Sequence, residues 1–320
     1  MTDEQKPKLE IIGSPREGRG GSGSGYHYWL RFHECARRGT LSDVNEEARL
    51  NGDGDVVPYG GVLDAADTGA ILHRLAEWWH TGTLRWEPNA SSETGGPPSA
   101  GGGRFVLPPN VAMSVDNPNV EEAWRIFRWY AYHTPADCFG EVVGAEIPFR
   151  FADGDTYSPV GITPFTGRID LAVRVSEERA EAITKHIMQP VRAGTYLLDH
   201  KSKGSKPSNA ELLGFTESIQ FHAYMMAWDV LFANKYGKCE GTIANFIVRH
   251  KTEAKLRDGE SFSQHLVPFP TQDQQRATRH WFQTALRRKQ EEGEMHADAS
   301  FCEDWGRFCG HYLSGACKRY

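Results

Sequence analysis

The stretch that decides the fold lies at residues 166–175 and reads TGRIDLAVRV. Apolar residues recur at every second position, a pattern typical of a β-strand with one buried face. The face expected to be buried carries Ile169, Leu171, Val173 and Val175. Asp170 lies on the other face with Arg168 and Ala172, and a carboxylate in so apolar a strand costs free energy unless it is paired or binds a cation. A strand-end acid held in a salt bridge is the structural alternative.

A second acid-bearing strand is predicted at residues 195–201, which read TYLLDHK. Asp199 and Lys201 lie two positions apart, so their side chains project from the same face just after two apolar leucines. The D/E-x-K pattern occurs three times in the chain. Only this copy ends an apolar strand and has another strand acid, Asp170, upstream. A local ion pair is again the alternative.

The segments around these strands predict a mixed sheet covered by helices. Further strands are predicted at residues 144–151, 242–249 and 262–268, and helices at 67–80, 119–132, 209–233 and 271–292. Helices come first, then three strands, a long helix, more strands and a last helix. This order predicts an α/β fold with a mixed central β-sheet flanked by helices.

The composition fits a folded protein that does not coat nucleic acid through bulk charge. The chain has 320 residues, 39% of them hydrophobic, which is enough for a sizeable core, and its formal net charge is −6. A local basic strip remains compatible with nucleic-acid binding. No apolar stretch is long enough to cross a bilayer and the first ten residues are polar, so we expect a cytoplasmic protein that does not enter the membrane.

Two helices carry polar pairs at a spacing of four residues, which places each pair on one helix face. Gln220 and Tyr224 belong to the long predicted helix, and His73 and Glu77 to an earlier one. Taken alone, such a pair usually marks a solvated helix face.

Together these residues resemble the motifs of the PD-(D/E)XK nucleases, and most closely those of their RecB-like branch. The stretches that carry the resemblance are GAILH at 69–73, GRID at 167–170, LDHK at 198–201 and QFHAY at 220–224. They occur in the order of the family, and Glu77 follows the motif histidine as a glutamate usually does in this branch. The resemblance implies a restriction-endonuclease-like αβββαβ core and metal-dependent cleavage of DNA.

The resemblance also implies a role for each motif residue. The expected ligands for Mg²⁺ or Mn²⁺ are two carboxylates, a main-chain carbonyl and an imidazole, from Asp170, Asp199, His200 and His73, and the imidazole favours Mn²⁺. Lys201 would orient or deprotonate the attacking water, or stabilise the transition-state charge, and the sequence leaves these roles open. Gln220 and Tyr224 would hold the phosphate or position Lys201. Glu146 is a candidate further ligand or supporting acid.

Cysteines near both ends of the chain extend the resemblance to residues 26–320. Iron–sulfur members of this branch have one cysteine before the nuclease core and three after it; CRISPR-associated adaptation nucleases, AddB-type helicase–nuclease subunits and many phage exonucleases are among them. The matching residues here are Cys35, Cys302, Cys309 and Cys317. The resemblance implies a 4Fe–4S cluster, and a zinc site and unligated thiols remain alternatives. The C-x6-C-x7-C spacing and an insertion at 176–194 depart from many members.

We therefore expect residues 1–25, which include the run GRGGSGSG, to be a flexible segment, and residues 26–320 to form a single nuclease domain whose two ends are joined by the cysteines. The expected function is DNA cleavage, by an exonuclease, in DNA processing, recombination or repair. The expected partners are single-stranded DNA or duplex ends, with a recombination or helicase protein. A non-catalytic DNA-binding or scaffold subunit and a hydrolase of small phosphoesters are the alternatives.

Overall fold

The structure, a computed structural model, is built on a five-stranded β-sheet and describes residues 63–88, 103–107, 118–151, 158–161, 165–290, 303–304 and 307–308. In chain order its elements are α1 (Leu63–His80), β1 (Arg85–Pro88), β2 (Gly103–Val106), α2 (Pro118–His133), β3 (Glu141–Phe151), β4 (Phe165–Val175), α3 (Glu177–Ile187), β5 (Gly194–Lys203), α4 (Asn209–Thr216), α5 (Ile219–Leu231), α6 (Ala233–Tyr236), β6 (Cys239–Val248), α7 (Glu253–Arg257), β7 (Phe262–Pro268), α8 (Gln272–Gln290), β8 (Glu303–Asp304) and β9 (Arg307–Phe308). The expected flexible segment 1–25 and the four cysteines expected to bind a cluster lie outside the described residues.

The central sheet is mixed, which confirms the predicted α/β fold with a mixed sheet flanked by helices. Its strand order is β3-β4-β5-β6-β7. Strands β5 and β6 are parallel, and the other neighbouring pairs are antiparallel. A parallel pair needs a crossover connection, and α4 to α6 provide it. With α3, α4 and α6 as insertions between them, helix α2, strands β3 to β5, helix α5 and strand β6 follow the αβββαβ order.

All five strands predicted for the sheet are present, but the helix predicted over 209–233 is divided into three. Ser208 begins α4 with a capping box shared with Glu211. Ser218 begins α5 by accepting a hydrogen bond from the Phe221 N–H. The Ser218 hydroxyl accepts from an N–H group that a continuous helix would bond internally, so this cap separates α5 from α4. The insertion at 176–194 contains α3, which the sequence pattern did not predict as a helix.

Helices cover both faces of the sheet. Helices α5 and α8 pack on one face in a cluster that includes Leu197, Phe221, Trp228, Ala244, Phe246 and Phe282. On the other face α3 packs against Val173, Leu198 and Ile243. Helices α1 and α2 form a further cluster with Ile247 of β6. Among the described residues, no helix is long and apolar enough to cross a membrane.

The predicted buried face of β4 is wrong at one residue. Leu171 and Val173 pack on the α3 side as expected, whereas Ile169 packs in the cluster on the α5 side. The change occurs beside Glu146 of β3, whose φ of 48° is left-handed. The ladder pairs the residues on either side of Glu146, Ala145 with Leu171 and Ile147 with Ile169, so Glu146 lies opposite Asp170.

Candidate active site

The two predicted carboxylates lie side by side where β4 and β5 separate. The ladder between these strands ends at the pair Leu171–Leu198. Asp170 and Asp199 occupy the next position on each strand, and residues opposite each other on neighbouring strands project from the same face. Their side chains are 27% and 15% exposed, so both carboxyl groups border the protein interior.

Asp170 is held by main-chain and imidazole groups. Its Oδ2 accepts a hydrogen bond from the His200 main-chain N–H at 3.1 Å and lies 4.0 Å from Nδ1 of His73. Burial, and after it the negative charge of Asp199, raises the pKa of Asp170 to about 8. The ionised form of Asp170 therefore lacks a sufficient counter-charge in the protein itself.

Lys201 forms an ion pair with Asp199 at the centre of the site. Its Nζ lies 3.0 Å from Oδ1 and 2.8 Å from Oδ2 of Asp199, and 5.6 Å from the centre of the Phe221 ring on α5. Burial is the largest single effect and lowers the pKa of Lys201, but the charge and hydrogen bond of Asp199, together with the charge of Asp170, raise the pKa overall. Lys201 is thus a cation in this arrangement, which favours donation to a phosphate oxygen over proton abstraction.

Helix α5 brings Gln220 and Tyr224 to the same site. Burial raises the pKa of Tyr224, a hydrogen bond from Gln220 opposes that shift, and the charge of Asp199 acts on the same hydroxyl. The Tyr224 ring meets Phe149 of β3 edge to face at 5.3 Å. A Cβ at Gly167 would lie 2.3 Å from Phe149 and 3.1 Å from the Tyr224 ring. The motif glycine is thus required sterically, because it gives these two rings room.

Helix α1 brings His73 beside Asp170, and Glu77 lies about one helical turn further along the same helix. Burial lowers the pKa of His73, so its imidazole is neutral and keeps a lone pair for a cation. Burial also raises the pKa of Glu77 to about 7, although Arg74 pairs with it at 2.8 Å. Glu146 acts on Glu77 as a second nearby carboxylate.

Glu146 combines an unusual backbone with a position beside the site. Its φ of 48° is uncommon for a residue with a side chain. Its carboxylate accepts a hydrogen bond from Arg168 at 2.8 Å, and its charge raises the pKa of Asp170. Left-handed backbone at non-glycine residues is concentrated at functional sites.

The oxygen donors at the end of β4 and β5 fit a hard divalent cation. Oδ2 of Asp199 is buried and, apart from its ion pair with Lys201, has no hydrogen-bond partner among the described residues. The raised pKa of Asp170 shows the same shortage of positive charge. As they stand, His73, Asp170 and Asp199 do not form a complete metal-binding group, and no group of three His, Cys, Asp or Glu side chains elsewhere in the described residues does so. The expected set therefore depends on the main-chain carbonyl of His200 as well.

The structure adds buried polar residues that the sequence patterns did not predict. His200 points its side chain to the opposite face of the sheet, where Asn245 Nδ2 lies 2.9 Å from its Nδ1. Tyr130 and His80 continue this hydrogen-bonded chain. Asn245 is fully buried in an otherwise apolar strand. A buried amide needs hydrogen-bond partners, so an asparagine in such a strand is the sequence signal that could have indicated these hydrogen bonds.

No protein-family model and no curated protein matches this chain. The resemblance to the PD-(D/E)XK nucleases therefore rests on the motifs and their order. The structure brings residues of these motifs together: His73 from α1, Asp170 from β4, Asp199 and Lys201 from β5, and Tyr224 from α5.

Proposed function

We propose that this chain is a metal-dependent deoxyribonuclease that hydrolyses phosphodiester bonds. In keeping with the resemblance, we propose that it acts as an exonuclease. The observation that carries the proposal is the convergence at one sheet edge of Asp170, Asp199 and Lys201, with His73 beside Asp170. Residues from three separated segments of the chain meet there, which supports the proposal over an isolated ion pair between Asp199 and Lys201.

The chain's own residues have separate tasks in this reaction. A bound Mg²⁺ or Mn²⁺ would neutralise charge on the phosphate and make water a better nucleophile. Asp170 and Asp199 would hold that ion, together with His73 and the main-chain carbonyl of His200. Lys201, a half-buried ammonium, would donate to a phosphate oxygen and stabilise the charge that develops in the transition state.

Tyr224 and Gln220 would keep the phosphate and the lysine in register. Tyr224 packs between the strands and helix α5, and it feels the charges of Asp170, Asp199 and Lys201. Its hydroxyl is therefore placed at the edge of the same charged group. A fixed phenol at that position limits the orientations open to a phosphate, which is how positioning groups raise a rate.

The basic residues that follow the site would contact the DNA backbone, although one of them is already paired. Lys203 forms an ion pair with Glu211 at the start of α4. Lys206 is exposed after the end of β5. DNA binding would thus depend on a few local cations, in agreement with the negative net charge of the chain.

Cleavage of end-labelled single-stranded and duplex DNA by the full chain tests this proposal. We expect cleavage with Mn²⁺, at least equal cleavage to that with Mg²⁺, and none in excess chelator. Lys201→Ala should lower the rate by about 10²–10³-fold, since one stabilising donor is lost. Lys255→Ala is the matched control, because Lys255 is exposed on α7 and belongs to another D/E-x-K copy. Full activity in chelator, or equal rates for the two variants, would contradict the proposal.

A further inference from the structure

A chain of buried hydrogen bonds lies behind the proposed site, on the face of the sheet covered by α1 and α2. Its members are His80 of α1, Tyr130 of α2, His200 of β5 and Asn245 of β6, and none is more than 6% exposed. Tyr130 Oη lies 2.7 Å from Nε2 of His80 and 2.6 Å from Nδ2 of Asn245. Asn245 Nδ2 lies 2.9 Å from Nδ1 of His200.

The direction of every hydrogen bond in this chain follows from one main-chain carbonyl. Nδ1 of His80 lies 2.8 Å from the carbonyl oxygen of Ala136, and a carbonyl can only accept, so Nδ1 carries the proton. In neutral His80 the other nitrogen, Nε2, must then accept from the Tyr130 hydroxyl. The Tyr130 oxygen is left to accept from the amide of Asn245.

The same reasoning fixes the tautomer of His200. Gln264 donates to Oδ1 of Asn245 at 3.1 Å, which agrees with the Asn245 amide nitrogen pointing at Tyr130 and His200. Nδ1 of His200 therefore accepts, and the proton of the neutral ring lies on Nε2. Nε2 is buried and has no hydrogen-bond partner among the described residues.

His200 links this chain to the carboxylates on the other side of the sheet. Its main-chain N–H donates to Asp170, and its neighbours in β5 are Asp199 and Lys201. Its ring also stacks on His80 at 5.7 Å and meets His73 edge to face at 6.0 Å. The His200 residue thus contacts Asp170 through its main chain and both His73 and His80 through its ring.

We propose that Tyr130, with His80 and Asn245, acts as a positioning group for the reaction by fixing the His200 ring in its Nε2–H tautomer. Through that ring the group holds the β5 main chain, and with it the N–H that binds Asp170. The inference rests on the proposed function, since it names residues that support the same site without touching substrate. Partners behind a site of this kind fix the orientation of the groups in front of it.

The test compares two conservative substitutions of buried tyrosines on the same face of the sheet. Tyr130→Phe removes only the hydroxyl that joins His80 to Asn245. Tyr196→Phe removes a hydroxyl that bonds to the main chain of Arg192, at the opposite end of β5. Histidine-selective ¹⁵N labelling reports the His200 tautomer and its main-chain amide, and DNA cleavage with Mn²⁺ reports kcat and KM separately.

We expect wild-type His200 to carry its proton on Nε2, and Tyr130→Phe to shift both its ring and its amide signals. The kcat of Tyr130→Phe should fall by about 10–100-fold with KM nearly unchanged, whereas Tyr196→Phe should match wild type. An Nδ1–H tautomer in wild type, or equal kcat values for the two variants, would overturn the inference. If wild-type protein cleaves no DNA, the proposed function fails and the positioning role in the reaction fails with it; the His200 signals of Tyr130→Phe then decide only whether Tyr130 fixes the ring, and unchanged signals overturn that as well.

Discussion

Charge at the end of β4 and β5 is balanced unevenly between two neighbouring carboxylates. Asp199 pairs with the Lys201 ammonium, whereas Asp170 has one main-chain N–H and an imidazole at 4.0 Å. The pKa of Asp170 is raised to about 8 for this reason, through burial first and Asp199 second. A divalent cation would relieve the repulsion, so the residues that make the site unfavourable by itself are those expected to bind the ion.

A single methyl group at Gly167 should disturb the site through Tyr224. The new Cβ would lie 2.3 Å from Phe149 and 3.1 Å from Tyr224, and neither ring can move freely in the packed cluster. We expect Gly167→Ala to lower the free energy of unfolding by about 1–3 kcal/mol and to reduce cleavage in proportion to the displacement of Tyr224. Urea unfolding and cleavage assays measure the two effects.

Gly204→Ala is the matched control for this substitution. Gly204 lies just after β5, and a Cβ there would meet nothing within 4 Å. The control should keep wild-type stability and activity. Equal behaviour of the two alanine variants would show that Gly167 is not needed for the packing of Tyr224.

Strands were predictable from the sequence because period-two patterns mark them locally, and Asp170 and Asp199 were conspicuous because acids are rare in apolar strands. The break between α4 and α5 inside the helix predicted at 209–233 depends on the Ser218 cap, which a periodicity argument does not weigh. The chain of hydrogen bonds that joins His80, Tyr130, Asn245 and His200 could not be predicted. Its members are separated by up to 165 positions of sequence and meet only in the folded protein.

Helix α1 brings a carboxyl group of raised pKa to the β3–β4 surface, and this has a consequence for stability. The pKa of Glu77 rises from 4.5 to about 7, through burial first and despite the attraction of Arg74. The folded protein keeps this proton longer than the unfolded chain, so stability is lost as the pH rises from 4.5 to about 7. The loss is at most about 3 kcal/mol and smaller after allowance for solvent screening.

Glu77→Gln should remove this pH dependence. We expect the variant and wild type to have equal stability near pH 4, and the variant to be more stable above about pH 7 by about 1–2 kcal/mol. Thermal unfolding across this pH range measures the difference. A variant that is destabilised by the same amount at every pH would show that the Glu77 carboxyl is not raised in pKa.

At the level of the whole molecule, the iron–sulfur cluster that the resemblance implies predicts a colour and an iron content. Protein purified without oxygen should be brown, and Cys309→Ser should be colourless and poorly soluble, because the cluster would tie both ends of the chain to the core. Cys138→Ser and Cys239→Ser are the controls and should stay brown. Cys239 is a buried thiol that bonds to the Gly241 carbonyl, so its place in the core accounts for it. Wild-type protein without iron would contradict the cluster.

The central claim is that phosphodiester hydrolysis takes place where β4 and β5 separate. The rate of cleavage of an end-labelled DNA strand with Mn²⁺, compared between wild type and Asp199→Asn, tests it most directly. The substitution keeps the shape of the side chain and removes the charge that pairs with Lys201. We predict that wild type cleaves the strand and that Asp199→Asn cleaves it at least about 100-fold more slowly, with a similar unfolding temperature. Equal rates, or no cleavage by wild type, would contradict the account.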